Sequence, residues 1–390
     1  MNICFVVCGS PSSTDARIKR IKQFAQLNNS ISDSNKSIIL FIDETSNFAV
    51  LEEQQYPDFI GIKVGSKFFR NALLKKFFQN YINGLAAMRA LPAIYSQILF
   101  TGIFSYGQSY LFQKSILKFA HINNIKAVID LTEWLGTSIK SLFSPNHWDH
   151  LFFCKFYVKY FYGAVCISNF WQEYLTKELK FTNHELIPAM SSISISENKS
   201  FQSTKVLKVT YLGILAERDC PFEMIDGFIE VAQSSDRYEF HIAGSVIPRM
   251  QRVFEDKIKK YHLQDKIIFT GWLSNKDLDQ LFSATDIFIL LRKQNKTSIA
   301  CFPTRIPEYL EANKVLITSG ISSLKPYFRN NIDAIILDPA NHQREQLASI
   351  LLRIENNFEY IKDMKLNAGQ LSNKVFYFQN FKDKFRSLYK

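Results

Sequence analysis

The sequence lacks the loop motifs that mark several common classes of α/β enzyme. No GxGxxG pattern follows the first strand of either half, which argues against an oxidoreductase that binds a dinucleotide. There is no Walker A sequence, and the absence of a GxSxG elbow disfavours a hydrolase of that architecture. The seven His and six Cys residues show no spacing typical of metal ligands. We therefore expect neither a cofactor nor a metal.

Cysteines are few and scattered, and no CxxC pair is present. Cys4 and Cys8 fall on the same face of a predicted strand, which suits packing better than a disulfide and favours a reducing compartment. No signal peptide is expected, because the apolar run at residues 2–8 is short and no basic segment precedes it. Residues 90–113 carry no charge, but their Pro and Gln residues make them too polar for a membrane span. They predict a buried strand followed by a helix.

Acidic residues are outnumbered: 36 Asp and Glu stand against 47 Lys and Arg, a net charge of +11. Such a chain can favour nucleic acid, an anionic membrane or an anionic substrate. The longest basic runs are pairs, and there is no RNA-binding signature, so we predict no nucleic-acid partner. A basic protein that binds nucleic acid is kept as a third hypothesis. Residues 68–91 predict a helix with aromatic and basic side chains. It is either an interfacial membrane helix or, as we slightly prefer because Phe is frequent throughout, a core helix with solvated cations.

The elements that are present alternate between strands and helices in two similar halves. Residues 3–7 predict a buried strand, Ser13 or Thr14 is the expected N-cap of the next helix, and residues 37–42 complete a βαβ unit. A chain of 390 residues is too long for one core. We predict an α/β fold of two Rossmann-like domains facing each other across a cleft. The proposed segments are a first domain at 1–190, a linker at 191–205, a second domain at 206–375, and a terminal helix at 376–390 that packs back toward the first domain.

One candidate site follows a strand of the first half. The predicted strand at residues 127–130 ends at Asp130, and Thr132 and Glu133 come directly after it. Ligands of open α/β sheets bind beyond the carboxyl ends of strands, so Asp130 and Glu133 are candidate catalytic residues. The same residue types also favour a helix N-cap and first turn, and this alternative stays open.

A second candidate site lies in residues 297–320 of the other half. We predict a loop at 297–304, a helix at 305–312 with Pro307 in its first turn, and a buried strand at 315–318. A loop that feeds a helix offers free backbone N–H groups to an anion such as a diphosphate, and Arg305 adds positive charge. Glu308 follows one turn later. The alternative is an ordinary surface helix.

Further basic residues follow other strands of the second half. Arg218 comes shortly after Gly213, which ends a predicted strand and allows close approach to the backbone, and Lys293 follows another strand. If the sheet is parallel, Arg218, Lys293 and Arg305 lie together at the carboxyl edge of the sheet. This convergence is the main argument for a phosphate ligand.

Several motifs resemble those of retaining GT-B glycosyltransferases of the family 4 class. They are the strand ending at Gly213, FTGWL at 269–273, DIFILL at 286–291 and FPTRIPEYLEANKVLITSG at 302–320. In the first half, TDARIKR at 14–20 is similar to a D-x-R-x-x-R stretch, and DLTEW at 130–134 resembles a segment of polysaccharide-type members.

The resemblance implies roles for individual residues. Glu308 matches the glutamate that binds the nucleotide ribose, and the backbone N–H groups of Thr304, Arg305 and Ile306 lie where the diphosphate is held. Other implied donor residues are Gly213, Arg218, Trp272 and Lys293, and the implied acceptor side comprises Gly9, Ser10, Asp15 and Arg17.

Three positions depart from the family pattern. Ala300 replaces the first family glutamate, Asp219 takes the place of a basic phosphate ligand, and Asp130 replaces a frequent histidine.

The resemblance implies transfer of a sugar from a nucleotide-sugar donor, with retention, to a saccharide acceptor or a lipid-linked saccharide. The expected setting is cell-surface polysaccharide biosynthesis by a cytoplasmic enzyme that contacts the inner face of the cytoplasmic membrane. Ala300 and Asp219 motivate an alternative: a non-catalytic sugar-nucleotide-binding protein or partner subunit.

Overall fold

The computed structural model describes residues 1–13, 15–47, 51–68, 72–135, 143–192, 206–357 and 359–390. It divides into two compact units. The first comprises Met1–Ser192, Ala300–Phe302 and Phe378–Lys390, and the second comprises Ile193–Ile299 and Pro303–Tyr377. Most of the predicted linker, residues 193–205, lies outside the described residues.

A sheet of eight described strands forms the first unit. Its spatial order is β3-β4-β2-β1-β5-β6-β7-β8, and every pairing is parallel except that of β3 with β4. The strands are β1 (Asn2–Cys8), β2 (Lys36–Asn47), β3 (Leu51–Gln55), β4 (Ile60–Lys67), β5 (Gly102–Tyr106), β6 (Lys126–Leu131), β7 (Gly163–Cys166) and β8 (His184–Leu186). The helices between them are α1 (Ala16–Ile31), α2 (Ala72–Gln97), α3 (Tyr110–Ile122), α4 (Pro145–Phe152) and α5 (Asn169–Glu173).

The second unit is built on a wholly parallel sheet of six described strands, in the order β11-β10-β9-β12-β13-β14. They are β9 (Leu207–Leu212), β10 (Tyr238–Ala243), β11 (Ile267–Gly271), β12 (Ile287–Leu290), β13 (Val315–Ser319) and β14 (Ile335–Leu337). The later helices are α6 (Pro221–Ser234), α7 (Pro248–Lys260), α8 (Asn275–Ala284), α9 (Lys296–Ala300), α10 (Ile306–Glu311), α11 (Gln343–Asn356), α12 (Glu359–Leu371) and α13 (Lys382–Ser387). Two Rossmann-like domains, as predicted, are therefore confirmed.

Aromatic rings fill much of the first core. Phe24 of α1 lies 4.6 Å from Phe104 of β5 and 5.4 Å from Phe385 of α13, measured between ring centroids. Phe5 of β1 packs on the same rings, 5.6 Å from Phe104. Each such ring removes a large apolar area from water, which is one use of the many phenylalanines. The C-terminal helix α13 thus completes the core of the first unit.

Some local predictions need correction. Asp15, rather than Ser13 or Thr14, is the N-cap of α1, and its carboxylate accepts from the backbone N–H of Arg17 at 2.9 Å. The loop predicted at 297–304 begins with the short helix α9, whose start is fixed by the Asn295 side chain accepting from the N–H of Ser298. Sequence periodicity missed β3, α4 and α12, which are short or weakly amphipathic.

The charge-free segment at 90–113 is confirmed as globular structure. It covers the end of α2, the buried strand β5 and the start of α3. Among the described helices, none combines the length and the hydropathy that crossing a bilayer requires.

Candidate functional site

Three glycines shape the carboxyl edge of the second sheet. The N–H of Gly213, after β9, donates to Ala243, and the N–H of Gly244, after β10, donates to Gly271 at the end of β11. All three have positive φ, and a Cβ at Gly244 would lie 2.1 Å from the carbonyl oxygen of Gly213. Backbone hydrogen bonds therefore hold the ends of β9, β10 and β11 close together, and they leave no room for a side chain at Gly244.

Replacement of Gly244 by Ala should destabilise this edge. The new methyl group would meet the Gly213 carbonyl in a backbone conformation, φ +110°, that L-residues avoid. We expect a loss of about 1–3 kcal/mol in the free energy of unfolding, measured by urea denaturation. Gly271→Ala is the control, since its Cβ would meet nothing within 4 Å and only the conformational cost would remain.

Next to β9, the end of β12 carries two basic residues with different surroundings. The Nε of Arg292, which is buried, lies 3.0 Å from the carboxylate of buried Asp219, whereas Lys293 is exposed. Arg218 lies with its Nε 3.6 Å from the same Asp219 and is about half exposed. Asp219 therefore neutralises Arg292, and Arg218 and Lys293 remain at the surface.

Helix α10 lies before β13, the strand beside β12, and carries the predicted phosphate and ribose residues. Arg305 precedes the helix, and its Nη1 donates to the Glu308 carboxylate at 2.7 Å. Burial lowers the pKa of Arg305, but Glu308 more than offsets this and the pKa ends above its ordinary value. The hydroxyl of buried Tyr309 donates to the Leu212 carbonyl at 3.3 Å, which fixes α10 to the end of β9.

The backbone donors at the start of α10 differ from those predicted. Ile306 does not offer a free N–H, because that group donates to the Pro303 carbonyl at 3.1 Å. In the described part of the chain the N–H groups of Thr304 and Arg305 have no acceptor. An anion at this edge therefore has two backbone donors and the Arg305 guanidinium within one turn.

Trp272 is the exposed aromatic residue of the same edge. It directly follows Gly271 at the end of β11, and 75% of its surface is exposed. A large ring so open to water is suited to stacking against another flat group. Because every pairing in this sheet is parallel, the segments that carry Gly213, Arg218, Lys293 and Trp272 all begin at one edge of the second sheet.

The predicted acceptor residues follow β1 in the first unit. The N–H of Gly9 donates to Ile42, and the Ser10 carbonyl accepts from Ser13. Arg17 donates twice to the Asp15 carboxylate, at 2.6 and 3.0 Å. Burial would raise the pKa of Asp15, but the bonds from Arg17 lower it below its ordinary value. Gly9 and Ser10 thus lie directly after β1, and Asp15 and Arg17 form an ion pair at the start of α1.

Asp130 has a different environment from that of a catalytic carboxylate. It is fully buried at the end of β6, and its two oxygens accept from Nε and Nη2 of Arg20 at 2.7 and 3.0 Å. Arg20 also donates to the carbonyls of Pro188 and Ile187. Burial raises the pKa of Asp130, and the guanidinium opposes this shift. This geometry supports a structural ion pair, so the catalytic interpretation of Asp130 finds no support here.

Glu133 is exposed and is positioned through its backbone. The Gln108 side chain accepts from the N–H groups of Thr132 and Glu133 at 3.2 and 2.8 Å. The Thr132 hydroxyl in turn bonds to Tyr106 at 3.1 Å. Gln108 could not be identified from the sequence, since a side chain that orders a loop 25 residues away leaves no local signal.

Behind this loop lies a buried histidine. One nitrogen of His150, Nδ1, lies 3.1 Å from the Gln108 carbonyl, and Nε2 accepts from the N–H of Leu135 at 3.3 Å. This pattern requires a neutral ring with its proton on Nδ1. Burial accordingly lowers the pKa of His150 to about 4.

The His150 environment predicts a stability change at mildly acidic pH. The unfolded chain gains a proton near pH 6.5, whereas folded His150 resists protonation down to about pH 4. This contribution is therefore constant above pH 6.5 and lowers the free energy of unfolding as the pH falls toward 4, by at most about 3 kcal/mol. Denaturant titrations across this range should show a flatter profile for His150→Gln. Equal slopes in both proteins would contradict the assignment.

No group of three potential metal ligands occurs among the described residues. Ala300, at the end of α9, is fully buried and presents only a methyl group. The first family glutamate thus has no carboxylate counterpart at this position.

Comparison with solved structures identifies the fold. Sucrose-phosphate synthase from Thermosynechococcus elongatus superposes with a TM-score of 0.77 at 13% identity, covering 100% of this chain and 98% of that one. HepE from Anabaena, solved with UDP and glucose, gives a TM-score of 0.66 at 13% identity over 99% and 98% of the two chains. These likenesses show the fold, which this chain shares with glycosyltransferases of the GT-B class.

The family assignment comes from the second unit. Residues 194–370 match the model of the glycosyl transferases group 1 family. Mannosylfructose-phosphate synthase of Agrobacterium fabrum is 24% identical over 150 residues. That match spans 35% of this chain and 33% of the relative's own length.

Proposed function

We propose that the chain transfers a sugar from a nucleotide-sugar donor to a saccharide acceptor with retention at the anomeric carbon. The observation that carries this is the arrangement at α10, where the N–H groups of Thr304 and Arg305, which have no acceptor among the described residues, and the Arg305 guanidinium adjoin Glu308 within the segment that matches the group 1 family. N–H groups and a guanidinium suit a diphosphate, and a carboxylate suits the hydroxyls of a ribose. Both ligand groups occur together in a nucleoside diphosphate sugar.

The chemistry follows from charge. As the glycosidic bond to the diphosphate breaks, negative charge builds up on the leaving oxygens, and Arg305 with the N–H groups of Thr304 and Arg305 would stabilise it. Preorganised donors of this kind contribute on the order of 3 kcal/mol each. Arg218 and Lys293 would attract the anionic donor to the edge, and Trp272 would stack on its base. A metal is not required by this scheme.

The acceptor is proposed to bind at the first unit, near Gly9, Ser10, Asp15, Arg17 and Glu133. We propose a saccharide, or a saccharide linked to a lipid, in cell-surface polysaccharide biosynthesis. The corresponding location is the cytoplasm, at the inner face of the cytoplasmic membrane.

A donor panel tests the reaction. Release of nucleoside diphosphate is measured with several nucleotide sugars, beginning with UDP-glucose because the Anabaena structure contains UDP and glucose. With the active donor, Glu308→Gln should raise KM about 10- to 100-fold through the lost charged hydrogen bonds. Glu359→Gln is the matched control, since Glu359 also pairs with a cation three residues away, Lys362 at 3.3 Å, but is highly exposed.

The second candidate is a protein that binds sugar nucleotides without transferring the sugar. Two residues favour the non-catalytic candidate: Ala300 lacks a carboxylate, and Asp219 is paired with Arg292. Donor binding in calorimetry that Glu308→Gln weakens, combined with no turnover of any donor in the presence of membrane extract, would establish this candidate and reject the transferase.

A further inference from the structure

The positive charge of the chain is concentrated in one part of the first unit. Residues 59–172 contain 12 Lys and Arg residues but only three acidic ones, a net +9 of the total +11. No Asp or Glu occurs from residue 59 to residue 129. Lys and Arg are spread along the chain, so the asymmetry lies in the missing acids and is invisible to a search for basic runs.

Two of the three acids are consumed by internal bonds. Asp130 is buried against Arg20. Asp149 accepts from the N–H of Leu111 at 2.8 Å, from the Asn80 side chain at 3.1 Å and from the Ser109 hydroxyl. It thereby ties α2, α3 and α4 together. Lys75 of α2 pairs with Glu44 at 3.5 Å, but within the described part of the chain Lys114 and Lys118 of α3, and Lys155 and Lys159 after α4, form no ion pair.

Aromatic rings that are partly or largely exposed line α3, α4 and the helical segment that follows α4. Tyr110 of α3 is in contact with Phe152, at 4.7 Å, and with Tyr157, at 4.8 Å. The row continues through Phe156 and Tyr160, which are 56% and 64% exposed.

A lysine joins this row to α2. The Nζ of Lys114 lies over the rings of both Tyr81 and Tyr110, at 5.3 and 5.5 Å. We call the resulting surface the aromatic-basic face, and its members are Phe77, Tyr81, Tyr110, Lys114, Phe152, Lys155, Phe156, Tyr157, Lys159 and Tyr160.

We propose that the aromatic-basic face docks on the surface of an anionic lipid bilayer. Transfer of the apolar Phe rings into the boundary between headgroups and acyl chains is favourable, and Tyr rings favour the headgroup level. The flanking lysines meet lipid phosphates, each favouring anionic over neutral lipid. This surface would supply the membrane contact of the proposed function. The reason for docking rests on that function, whereas the surface itself is argued from the residues above.

The chemistry of the face favours a bilayer over other partners. A nucleic acid would require basic groups that follow its backbone, and Phe77, Phe152 and Phe156 supply apolar surface that phosphates cannot use. A second copy of this face would bring lysines against lysines with no acidic residue to pair them. An anionic bilayer offers both a negative surface and an apolar interior.

Vesicle co-sedimentation with the full chain tests the proposal. Phosphatidylcholine vesicles with about one third phosphatidylglycerol should bind at least about tenfold more tightly than pure phosphatidylcholine, and binding should weaken as salt rises from roughly 0.1 M to roughly 1 M. Lys155→Glu/Lys159→Glu should reduce binding about 10- to 100-fold. Phe156→Ser/Tyr160→Ser should reduce it as well, including at high salt, where charge is screened.

The matched control lies at the end of α7 in the second unit, where Lys259, Lys260 and Tyr261 form another exposed basic and aromatic segment. Lys259→Glu/Lys260→Glu should leave vesicle binding unchanged, and all variants should keep the thermal unfolding midpoint. Equal losses in both pairs, no preference for anionic vesicles, or tighter retention on duplex DNA would each overturn the proposal.

Donor turnover separates this inference from the proposed function. Nucleoside diphosphate release is followed with a water-soluble acceptor in the absence of lipid. A chain that turns over donor but ignores anionic vesicles overturns the docking face alone. A chain that binds vesicles through this face but neither binds nor consumes any donor supports the face and overturns the proposed function.

Discussion

Replacing Asp130 by alanine should lower the free energy of unfolding by about 3–5 kcal/mol. Arg20 is 3% exposed and holds both oxygens of a carboxylate that is fully buried. Without Asp130 the guanidinium keeps its charge in a buried place, where its partners are the Pro188 and Ile187 carbonyls and the Phe24 ring, whose centroid lies 4.9 Å from Cζ. An unpaired buried charge is among the most destabilising single defects. Unfolding in guanidinium chloride will measure the loss of stability.

The nearby turn supplies the control. Arg17 and Asp15 form an ion pair of similar length, 2.6 Å, but their side chains are 46% and 34% exposed. Arg17→Ala should therefore cost no more than about 1 kcal/mol. The double variant Arg20→Met/Asp130→Leu should recover part of the stability, because no charge is left buried, although the two carbonyls stay unpaired. An Asp130→Ala protein of normal stability that has lost turnover would instead support the catalytic role predicted from sequence.

Much of the fold was predictable, because the information is local. The continuous apolar runs of β1, β9 and β13 are characteristic of strands buried on both faces of a parallel sheet. The parallel order of the second sheet then accounts for why Arg218, Lys293 and Arg305 follow from one edge. Short elements such as α9 escaped, since five residues carry too little periodicity to identify a helix.

The partners of the charged groups were not predictable, because they depend on contacts between distant segments. Arg20 and Asp130 are 110 residues apart, so Asp130 was predicted to be catalytic when only its residue type and its strand were known. Asp219 and Arg292 present the same difficulty. A buried carboxylate beside a guanidinium and an exposed catalytic carboxylate have the same sequence signal. By contrast, the missing acids of residues 59–129 were visible in the sequence and would have indicated the aromatic-basic face.

Replacing Arg305 by alanine should reduce kcat/KM for sugar transfer by about 100- to 1000-fold. The guanidinium belongs to the same turn as the N–H groups of Thr304 and Arg305, which have no acceptor among the described residues, and it is about one third exposed, so it can reach an anion without first being uncovered. Its interaction with the diphosphate strengthens as the leaving group gains charge. The loss should therefore fall mainly on kcat, whereas Glu308→Gln should act mainly on KM.

The matched control for Arg305 is Arg329→Ala. Arg329 also pairs with a carboxylate of its own segment, Asp333 at 2.7 Å, but precedes β14 and so belongs to the amino edge of the sheet. It should leave kcat/KM within about twofold of the parent protein. Arg305→Lys should be intermediate, since an ammonium keeps the charge but loses the planar pair of donors. If Arg305→Ala turns over the donor as fast as Arg329→Ala does, the diphosphate is not held at α10, and Arg218 and Lys293 become the cations to test, because they lie after β9 and β12 of the same edge.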